Sequence, residues 1–343
     1  MNTSNSNLYS PSFSHIYVEQ DILSAPETVR ILSQFPQASV ITISHYKDVF
    51  CRSGQDYVSQ HRSQSLIIAA KHGQKLYPGS PVCQSFDNEY FCYTSCMMNC
   101  IYDCEYCYLK GMYQCSHLVY FINTEDIFDE VRDLLAQHPL YLCVSYDTDL
   151  VAVEHIFGLA SKWCDFVTAI NAVSDNKLTI ELRTKCGNID SFKFLKPDEH
   201  IVLAFTVSPD FVTRNYEHGT SSMKARIDCA SSLLQRGHSV RLCFDPMIYC
   251  PDYRTHYADM IDAVHSSLDM TSLRDISVGS FRISKEYMKR MRHIEAGSAV
   301  IQFPFENTGG FYHYPDPLQQ EMEGFLISQI SQYFPTDRIF TWR

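Results

Sequence analysis

The sequence predicts an α/β protein, a partial (β/α)6 barrel with a small N-terminal α/β subdomain. Two observations lead to this fold class. From about residue 88, short apolar segments alternate with amphipathic segments of helical period, and a cysteine-rich run directly follows the first apolar segment. Alternation of this kind requires a parallel sheet with right-handed crossovers. In such sheets the functional residues collect at the carboxyl ends of the strands, which is where the cysteines fall.

The chain before the barrel has a mixed pattern. Its first residues are polar and predict a disordered tail, and the following elements form a compact subdomain. We expect the tail at 1–14 and the N-terminal subdomain at 15–85, with strands at 15–18, 39–44 and 65–70 and a helix at 25–34.

The barrel is expected to occupy residues 86–285. Its six strands are predicted at 90–95, 141–146, 178–184, 201–207, 240–245 and 275–280. Amphipathic helices are predicted at 124–136, 151–163, 221–235 and 256–267, and the short segment 188–194 replaces a helix in the third crossover. The remaining residues, 286–343, form a C-terminal extension with a hairpin and a helix.

Composition and charge narrow the class of protein. With 45% hydrophobic and 20% charged residues the chain is an ordinary globular one, and its net charge of −11 argues against a broad phosphate-binding surface. One basic group, at Lys285, Lys289, Arg290 and Arg292, is either a solvated helix face or a local nucleic-acid contact. The apolar runs are too short to span a membrane, and Met1 to Ser14 does not resemble a signal peptide. We therefore expect a cytoplasmic protein that has no membrane partner and keeps its cysteines reduced.

The most informative motif is a run of three cysteines. Cys100, Cys104 and Cys107 are separated by three residues and then by two, a spacing that suits one edge of a four-iron four-sulfur cube. Three thiolates leave one iron of the cube without a protein ligand, so a chelating cofactor can bind there and be reduced. Tyr106 stands directly before the last cysteine. This pattern is typical of radical S-adenosylmethionine (SAM) enzymes, which cleave SAM reductively to a 5′-deoxyadenosyl radical.

A zinc site is the alternative interpretation of these cysteines. Cys92, Cys96 or Cys115 could supply a fourth thiolate. The chain has no second C-x2-C pair, however, and no histidine pair at finger spacing. We therefore favour a [4Fe-4S] cluster and interpret Cys92 and Cys96 as strand residues that lead into the site.

Beyond the cysteines, the sequence resembles the spore photoproduct lyase family over nearly its whole length. The matching segments are Cys104-Glu-Tyr-Cys-Tyr-Leu, residues 120–127, residues 149–155, Thr184-Lys185 and, most specifically, residues 205–222. The resemblance implies a radical SAM lyase that repairs the thymine dimer 5-thyminyl-5,6-dihydrothymine in DNA. It also implies an electron donor such as flavodoxin or ferredoxin, and we expect a monomer.

The resemblance also assigns roles to residues. Tyr106 is expected to lie against SAM and Tyr108 to belong to a radical relay. Thr148, Lys185 and Thr206 occupy positions at which the family binds the methionyl part of SAM, and a lysine is a suitable cation for its carboxylate. For each hydroxyl, the alternative is an ordinary strand-end residue that satisfies backbone groups.

Two departures from the family pattern matter for function. The family's hydrogen-donating cysteine falls on Tyr146 in this chain. Cys143 is a candidate replacement, although on a regular strand it would point away from Tyr146. Cys83 is the other main candidate, at the rim of the site. Cys92 and Cys96 are further candidates, because they are close in sequence to the cluster cysteines.

The second departure is near the C-terminus. The family's Arg-Tyr pair, which wedges into the lesion, falls on Glu306-Asn307. The aromatic residues that follow, Phe311, Tyr312 and Tyr314, either stack on bases or pack on the core.

Three functions follow from these observations. The first is repair of the thymine dimer, and the second is a radical SAM reaction of the same architecture on a different substrate. The third is a non-catalytic iron–sulfur or zinc protein. Cleavage of SAM separates the third from the other two, and repair of the dinucleotide lesion separates the first from the second.

Overall fold

The computed structural model describes residues 11–80 and 83–341. Its strands are β1 (His15–Glu19), β2 (Ser39–Ile43), β3 (Leu66–Ala69), β4 (Leu76–Pro78), β5 (Phe91–Thr94), β6 (Met97–Met98), β7 (Asp103–Cys104), β8 (Leu118–Phe121), β9 (Leu140–Cys143), β10 (Leu178–Thr184), β11 (Ile201–Thr206), β12 (Glu217–His218), β13 (Ser239–Met247), β14 (Asp275–Ser280), β15 (Arg282–Ser284), β16 (Glu306–Thr308), β17 (Phe311–His313) and β18 (Ile339–Thr341). Its α-helices are α1 (Pro26–Ser33), α2 (Lys47–Phe50), α3 (Tyr57–Arg62), α4 (Leu109–Met112), α5 (Thr124–Leu135), α6 (Glu154–Phe157), α7 (Leu159–Val173), α8 (Asp210–Tyr216), α9 (Met223–Gln235), α10 (Tyr253–Ser267), α11 (Lys285–Ile294) and α12 (Asp316–Ile330).

The larger sheet carries the predicted α/β alternation. Its strand order is β18-β14-β13-β11-β10-β9-β5-β4. The six strands from β14 to β5 are parallel neighbours, and they correspond to the six strands that the sequence predicts. One further strand closes each edge, β18 in parallel and β4 antiparallel.

The parallel strands are buried because helices cover the sheet. All of β11, Ile201–Thr206, is buried, and its sequence Ile-Val-Leu-Ala-Phe-Thr is a continuous apolar run of the kind that a two-sided sheet requires. The covering helices are amphipathic and contribute large side chains such as Trp163 of α7 and Tyr257 of α10, both fully buried. The carboxyl ends of the strands remain open at one edge.

The smaller sheet has the order β2-β1-β3-β8-β6. Strand β8 lies beyond the cysteine run in sequence, yet it pairs in parallel with β3. The segment between β5 and β8, which holds the three cysteines, therefore leaves the larger sheet and returns to the smaller one. The predicted division near residue 85 stays a prediction.

Some predicted elements differ from those observed. The predicted helix 151–163 is broken into a 3-10 turn, α6 and α7, because Gly158 adopts a left-handed conformation with φ of 65°. The predicted strand 141–146 ends at Cys143. Residues 1–10 of the predicted tail lie outside the described residues, and Phe13 is buried against Phe35.

A three-stranded sheet with the order β15-β17-β16 lies in the C-terminal region. Its hairpin turns at Gly309 and Gly310, whose φ values of 61° and 88° suit a tight two-residue turn. Within the described ranges, no helix is both long and apolar enough to cross a membrane.

Candidate active site

A cavity of about 700 Å³ opens at the carboxyl ends of the parallel strands. Its wall contains every site residue that the sequence predicts. These are Cys83, Cys100, Cys104, Tyr106, Cys107, Tyr108, Cys143, Thr148, Lys185 and Thr206. The fold therefore brings together residues that lie up to 123 positions apart, from 83 to 206.

The first cysteine of the run is positioned by two buried amide side chains. Asn99 precedes it with φ of 66°, and the Asn99 side chain donates to the carbonyls of Cys115 and His117 at 2.7 and 2.8 Å. Gln64 donates to the carbonyl of Cys100 at 3.0 Å. These contacts fix the start of the loop between β6 and β7, so the Cys100 thiol faces the cavity.

The other two cysteines are held by backbone contacts. Cys104 lies in β7, which pairs antiparallel with β12, and its partner residue is Glu217. The backbone N–H of Cys107 donates to the carbonyl of Cys104 at 3.1 Å, in a turn that leads into α4. The three thiols therefore belong to one short loop, which Gln64, Asn99 and the pairing with β12 hold in place.

The donor set fits an iron–sulfur cube. In a cube each thiolate binds a different iron, so the three sulfurs do not converge on a single point. Within residues 11–80 and 83–341, no three His, Cys, Asp or Glu side chains converge to hold one metal ion. Burial raises the pKa of each thiol, that of Cys104 to about 12. Because the cysteines would bind iron as thiolates, cluster binding would be coupled to loss of the thiol protons.

Lys185 supplies a cation to the cavity wall. Its Nζ lies 5.4 Å from the centre of the Tyr106 ring, a distance typical of a cation–π contact. Burial alone would lower the pKa of Lys185, but the neighbouring Cys104 and Glu217 outweigh burial and raise it. Lys185 is therefore a charged ammonium group at neutral pH and can pair with a carboxylate.

Tyr106 is fixed by a buried ion pair that sequence reasoning missed. Its hydroxyl donates to Glu217, which also accepts from Ser208 at 2.8 Å and from Arg226 at 2.5 Å. Burial alone would raise the pKa of Glu217, but Arg226 and then Lys185 lower it to about 2. Arg226 also donates to the carbonyl of Thr206 at 3.1 Å, so one guanidinium positions two residues of the cavity wall.

We expect the Arg226→Met variant to lose about 3–5 kcal/mol of unfolding free energy, because it leaves the Glu217 carboxylate buried without its partner. Both side chains of this pair are 0% exposed. Urea unfolding followed by circular dichroism measures the loss. The control is Lys224→Met on the same helix, where the side chain is 78% exposed in its pair with Asp228 and little change is expected. Equal losses in the two variants would contradict the assigned role of the buried pair.

Thr148 and Thr206 are both buried residues of the cavity wall. The Thr148 hydroxyl is buried and has no partner among the described residues, so it is available to a polar group of a bound cofactor. Thr206 is buried, and the contact with Arg226 fixes its carbonyl. Next to Thr148, the Asp149 carboxylate accepts from the Thr184 hydroxyl and from the Lys185 N–H, both at 2.8 Å. Asp149 therefore holds the end of β10 in the position that brings Lys185 to the cavity.

Cys83 and Tyr146 lie side by side in the wall. The Cys83 sulfur is 3.7 Å from the Tyr146 hydroxyl, and the Tyr146 ring stacks on Tyr93 with a centroid separation of 4.0 Å. The Tyr108 hydroxyl donates to the backbone carbonyl of Tyr146 at 2.5 Å. Burial raises the pKa of Cys83, although Tyr146 and nearby Arg183 oppose the shift, so the residue stays a protonated thiol at neutral pH.

Cys143 also reaches the cavity, although a regular strand would turn it away from Tyr146. The reason is that β9 ends at Cys143, so the chain from 143 to 146 does not alternate as an extended strand does. Burial raises the pKa of Cys143 well above its ordinary value. Both candidate thiols therefore carry a hydrogen at neutral pH.

The C-terminal hairpin contributes one side of the cavity mouth. Phe311 of β17 belongs to the wall, while Tyr314 is buried and its hydroxyl accepts from the N–H of Tyr249 at 2.9 Å. Glu306 and Asn307 are exposed on the edge strand β16. Phe311 is thus positioned to meet a ligand, whereas Tyr314 is a core residue.

The basic residues of α11 have separate structural environments. Arg290 donates to the carbonyls of Gly111 and Met112, which caps the helix that follows the cysteine run. The Arg292 guanidinium lies 5.0 Å from the centre of the Tyr312 ring. Lys285 and Lys289 are exposed.

Comparison with known proteins gives several similar chains. A spore photoproduct lyase from Geobacillus sp. (strain Y412MC61) is 20% identical over 343 residues, which cover 94% of this chain and 96% of that protein. One from Bacillus subtilis (strain 168) is 21% identical over 345 residues, with the same coverage. One from Clostridium acetobutylicum is 24% identical over 247 residues, covering 68% of this chain and 71% of that protein.

Solved structures show the same fold. A spore photoproduct lyase complexed with dinucleoside spore photoproduct matches with a TM-score of 0.78 and 18% identity, covering 98% of this chain and 99% of that chain. A mutant of such a lyase with bound AdoMet (SAM) and dinucleoside spore photoproduct matches with the same score, identity and coverage. The mixed α/β fold is therefore shared over nearly the whole length of the chain.

The family model described as "Spore photoproduct lyase" matches residues 10–342 of this chain. The match includes the cysteine loop, the strand ends that line the cavity and the C-terminal hairpin. This protein therefore belongs to the spore photoproduct lyase family.

Proposed function

We propose that this protein is a radical SAM lyase that repairs 5-thyminyl-5,6-dihydrothymine in DNA. The observation that carries the proposal is a single cavity whose wall holds the three cysteines, the Lys185 cation and the thiol–tyrosine pair Cys83 and Tyr146. A cluster, a cofactor with a carboxylate and a hydrogen donor would then meet in one cavity.

The cofactors would be held by identifiable residues. Cys100, Cys104 and Cys107 would bind a [4Fe-4S] cluster. Thr148, Lys185 and Thr206 would bind the methionyl part of SAM, with Tyr106 against the bound cofactor. When bound, the cluster and SAM together supply a 5′-deoxyadenosyl radical by reductive cleavage of a C–S bond of SAM.

The residues of the chain would then control the radical on the substrate. Phe311 of the hairpin forms one side of the cavity mouth. After the dimer fragments, the Cys83 thiol gives its hydrogen to the thymine radical, so that the S–H bond breaks and a C–H bond forms. The Tyr146 hydroxyl, 3.7 Å from the Cys83 sulfur, can return a hydrogen atom to the thiyl radical, so that an O–H bond breaks, the S–H bond re-forms and the unpaired electron moves to Tyr146. The Tyr108 ring lies 5.9 Å from the Tyr146 ring and would extend this radical relay. Cys143 is the second candidate donor.

The finer organisation of the fold belongs to the same proposal. The six parallel strands would curve as a partial (β/α)6 barrel at residues 86–285, with an N-terminal subdomain at 15–85 and a C-terminal extension at 286–343. The position of the cavity at the carboxyl ends of β9, β10, β11 and β14 supports this arrangement. The protein would act in the cytoplasm as a monomer, on lesion-bearing DNA, with flavodoxin or ferredoxin as its electron donor.

A second candidate is a radical SAM lyase reaction on another substrate. The observations that favour it are Tyr146 at the family's thiol position and Glu306-Asn307 at the position of the family's Arg-Tyr pair. Glu306 is exposed on an edge strand, where its carboxylate would repel a DNA phosphate.

The test is an anaerobic reaction of the reconstituted protein with SAM, dithionite and dinucleoside spore photoproduct, with products identified by mass. Repair to two thymidines supports the first function. Formation of 5′-deoxyadenosine and methionine without repair supports the second. If neither product forms in protein that carries iron and sulfide, both functions are wrong.

We expect Lys185→Met to raise the KM for SAM by roughly 10- to 100-fold, because the variant removes a buried charge-assisted hydrogen bond to the carboxylate. Initial rates of 5′-deoxyadenosine formation at varied SAM measure this change. Lys193→Met is the control, since that side chain is 73% exposed and pairs with Asp190 outside the cavity. An unchanged KM in Lys185→Met would contradict the assignment.

A further inference from the structure

The wall beside Cys83 holds a polar group that the mechanism above leaves unused. Arg183 of β10, Asp245 of β13 and Ser280 of β14 all belong to the cavity wall. Cys83 lines the same cavity as these three residues. A substrate atom that receives a hydrogen from Cys83 would therefore bring its own ring within reach of this group.

Asp245, whose side chain is 19% exposed, differs from the two buried carboxylates of the cavity wall. The Asp149 carboxylate accepts from Thr184, Lys185 and Ala152. The Glu181 carboxylate accepts from Tyr141, Arg183 and Arg241.

By contrast, Asp245 accepts no hydrogen bond from the part of the chain that the structure describes, and its Oδ2 lies 3.6 Å from Nη1 of Arg183. Its carboxylate therefore keeps acceptor capacity for a ligand.

Two donors lie near this acceptor: Arg183 pairs with it, and Ser280 follows Gly279, beside which the Asp245 side chain lies. The Arg183 guanidinium binds Glu181 through Nε at 3.0 Å, which fixes its plane, and the side chain remains 30% exposed on the cavity. Ser280 is 1% exposed, and its hydroxyl has no partner among the described residues. A buried hydroxyl without a partner is costly, so its position in a cavity wall points to a ligand atom that completes its hydrogen bonding.

We propose that Asp245, Arg183 and Ser280 form a subsite that reads the imide edge of a pyrimidine-2,4-dione ring. The imide presents a carbonyl, an N3–H and a second carbonyl, and the subsite presents a donor, an acceptor and a donor. Asp245 accepts from N3–H, while Arg183 and Ser280 donate to the two flanking oxygens. Enzymes that act on an extruded base read its pairing edge in the same manner. This inference rests on the proposed function, because it names the part of the thymine lesion that the site recognises.

Binding to the reconstituted protein with SAM and without reductant tests the subsite, because no turnover occurs. The ligands are dinucleoside spore photoproduct and its N3-methylated derivative, and calorimetry measures each Kd. We expect wild type to bind the methylated ligand roughly 100-fold or more weakly, since a polar site strongly rejects a ligand that cannot complete its hydrogen bonds. Asp245→Asn should weaken binding of the unmethylated ligand by roughly 10- to 100-fold and abolish most of the discrimination.

The control is Asp228→Asn, which changes a 52% exposed carboxylate on α9, outside the cavity wall, and should leave both Kd values unchanged. If Asp245→Asn does not fold, Ser280→Ala tests the same subsite and should weaken binding up to roughly tenfold. Equal binding of the two ligands by wild type would overturn the subsite, as would unaltered discrimination in a folded Asp245→Asn variant.

The two proposals fail in different ways. Wild-type protein that discriminates against the methylated ligand but does not repair the unmethylated one overturns the repair function and keeps the subsite. Protein that repairs both ligands equally well keeps the repair function and overturns the subsite.

Discussion

Replacing Cys104 by alanine is expected to abolish cluster assembly and, with it, the cleavage of SAM. Cys104 is the middle one of the three proposed ligands, and the pairing of β7 with β12 fixes its position. Without this thiolate two irons of the cube lack a protein ligand, and a cube held by two residues is not retained. Iron and acid-labile sulfide per chain measure assembly, and 5′-deoxyadenosine formed under dithionite measures cleavage.

The matched control is Cys92→Ala. Cys92 is half-buried on β5, twelve positions before Cys104, and it does not belong to the cavity wall. We expect this variant to keep wild-type iron, sulfide and SAM cleavage. Circular dichroism of both variants separates loss of the cluster from loss of the fold. If Cys92→Ala lost the cluster and Cys104→Ala retained it, the ligand assignment would be wrong.

The parallel sheet could be predicted because its signal is local and repeated. Each central strand is an apolar run, and each crossover has a helical period, so the order of elements fixes the neighbours. Strand β8 lacked such a signal. Its four residues, Leu118–Phe121, become a strand through pairing with β3, about fifty positions earlier in the chain. Pairing over that separation is not visible in a local pattern.

In the candidate site, too, only the features that have a local sequence signal could be predicted. The cysteine spacing predicts the cluster loop because three thiolates at this spacing on one short loop can each reach a different iron of a cube. The orientation of Cys143 could not be predicted, since it depends on where β9 ends. The Glu217–Arg226 pair was also invisible, because a glutamate and an arginine in a polar stretch are ordinary surface residues until the fold buries both.

Cys83→Ala is expected to divert the reaction from two thymines to misquenched products, because the variant removes the thiol that contacts Tyr146, the residue aligned with the family's donor. The Cys83 sulfur is 3.7 Å from the Tyr146 hydroxyl. A thiol exchanges its hydrogen with solvent, so in D2O the wild-type protein should place one deuterium in the repaired thymine. Mass spectrometry of the products of Cys83→Ala should show loss of this deuterium together with the new products.

Cys143→Ala is the matched variant, since it removes a second buried thiol from the same wall. We expect it to keep deuterium transfer, because the structure places Cys83, and not Cys143, in hydrogen-bond contact with Tyr146, which in turn stacks on Tyr93. Loss of deuterium in Cys143→Ala alone would assign the donor to Cys143. If deuterium transfer were unchanged in both variants, neither thiol would be the donor. The Tyr146 hydroxyl, which also exchanges with solvent, would then be the candidate, and Tyr146→Phe would test it.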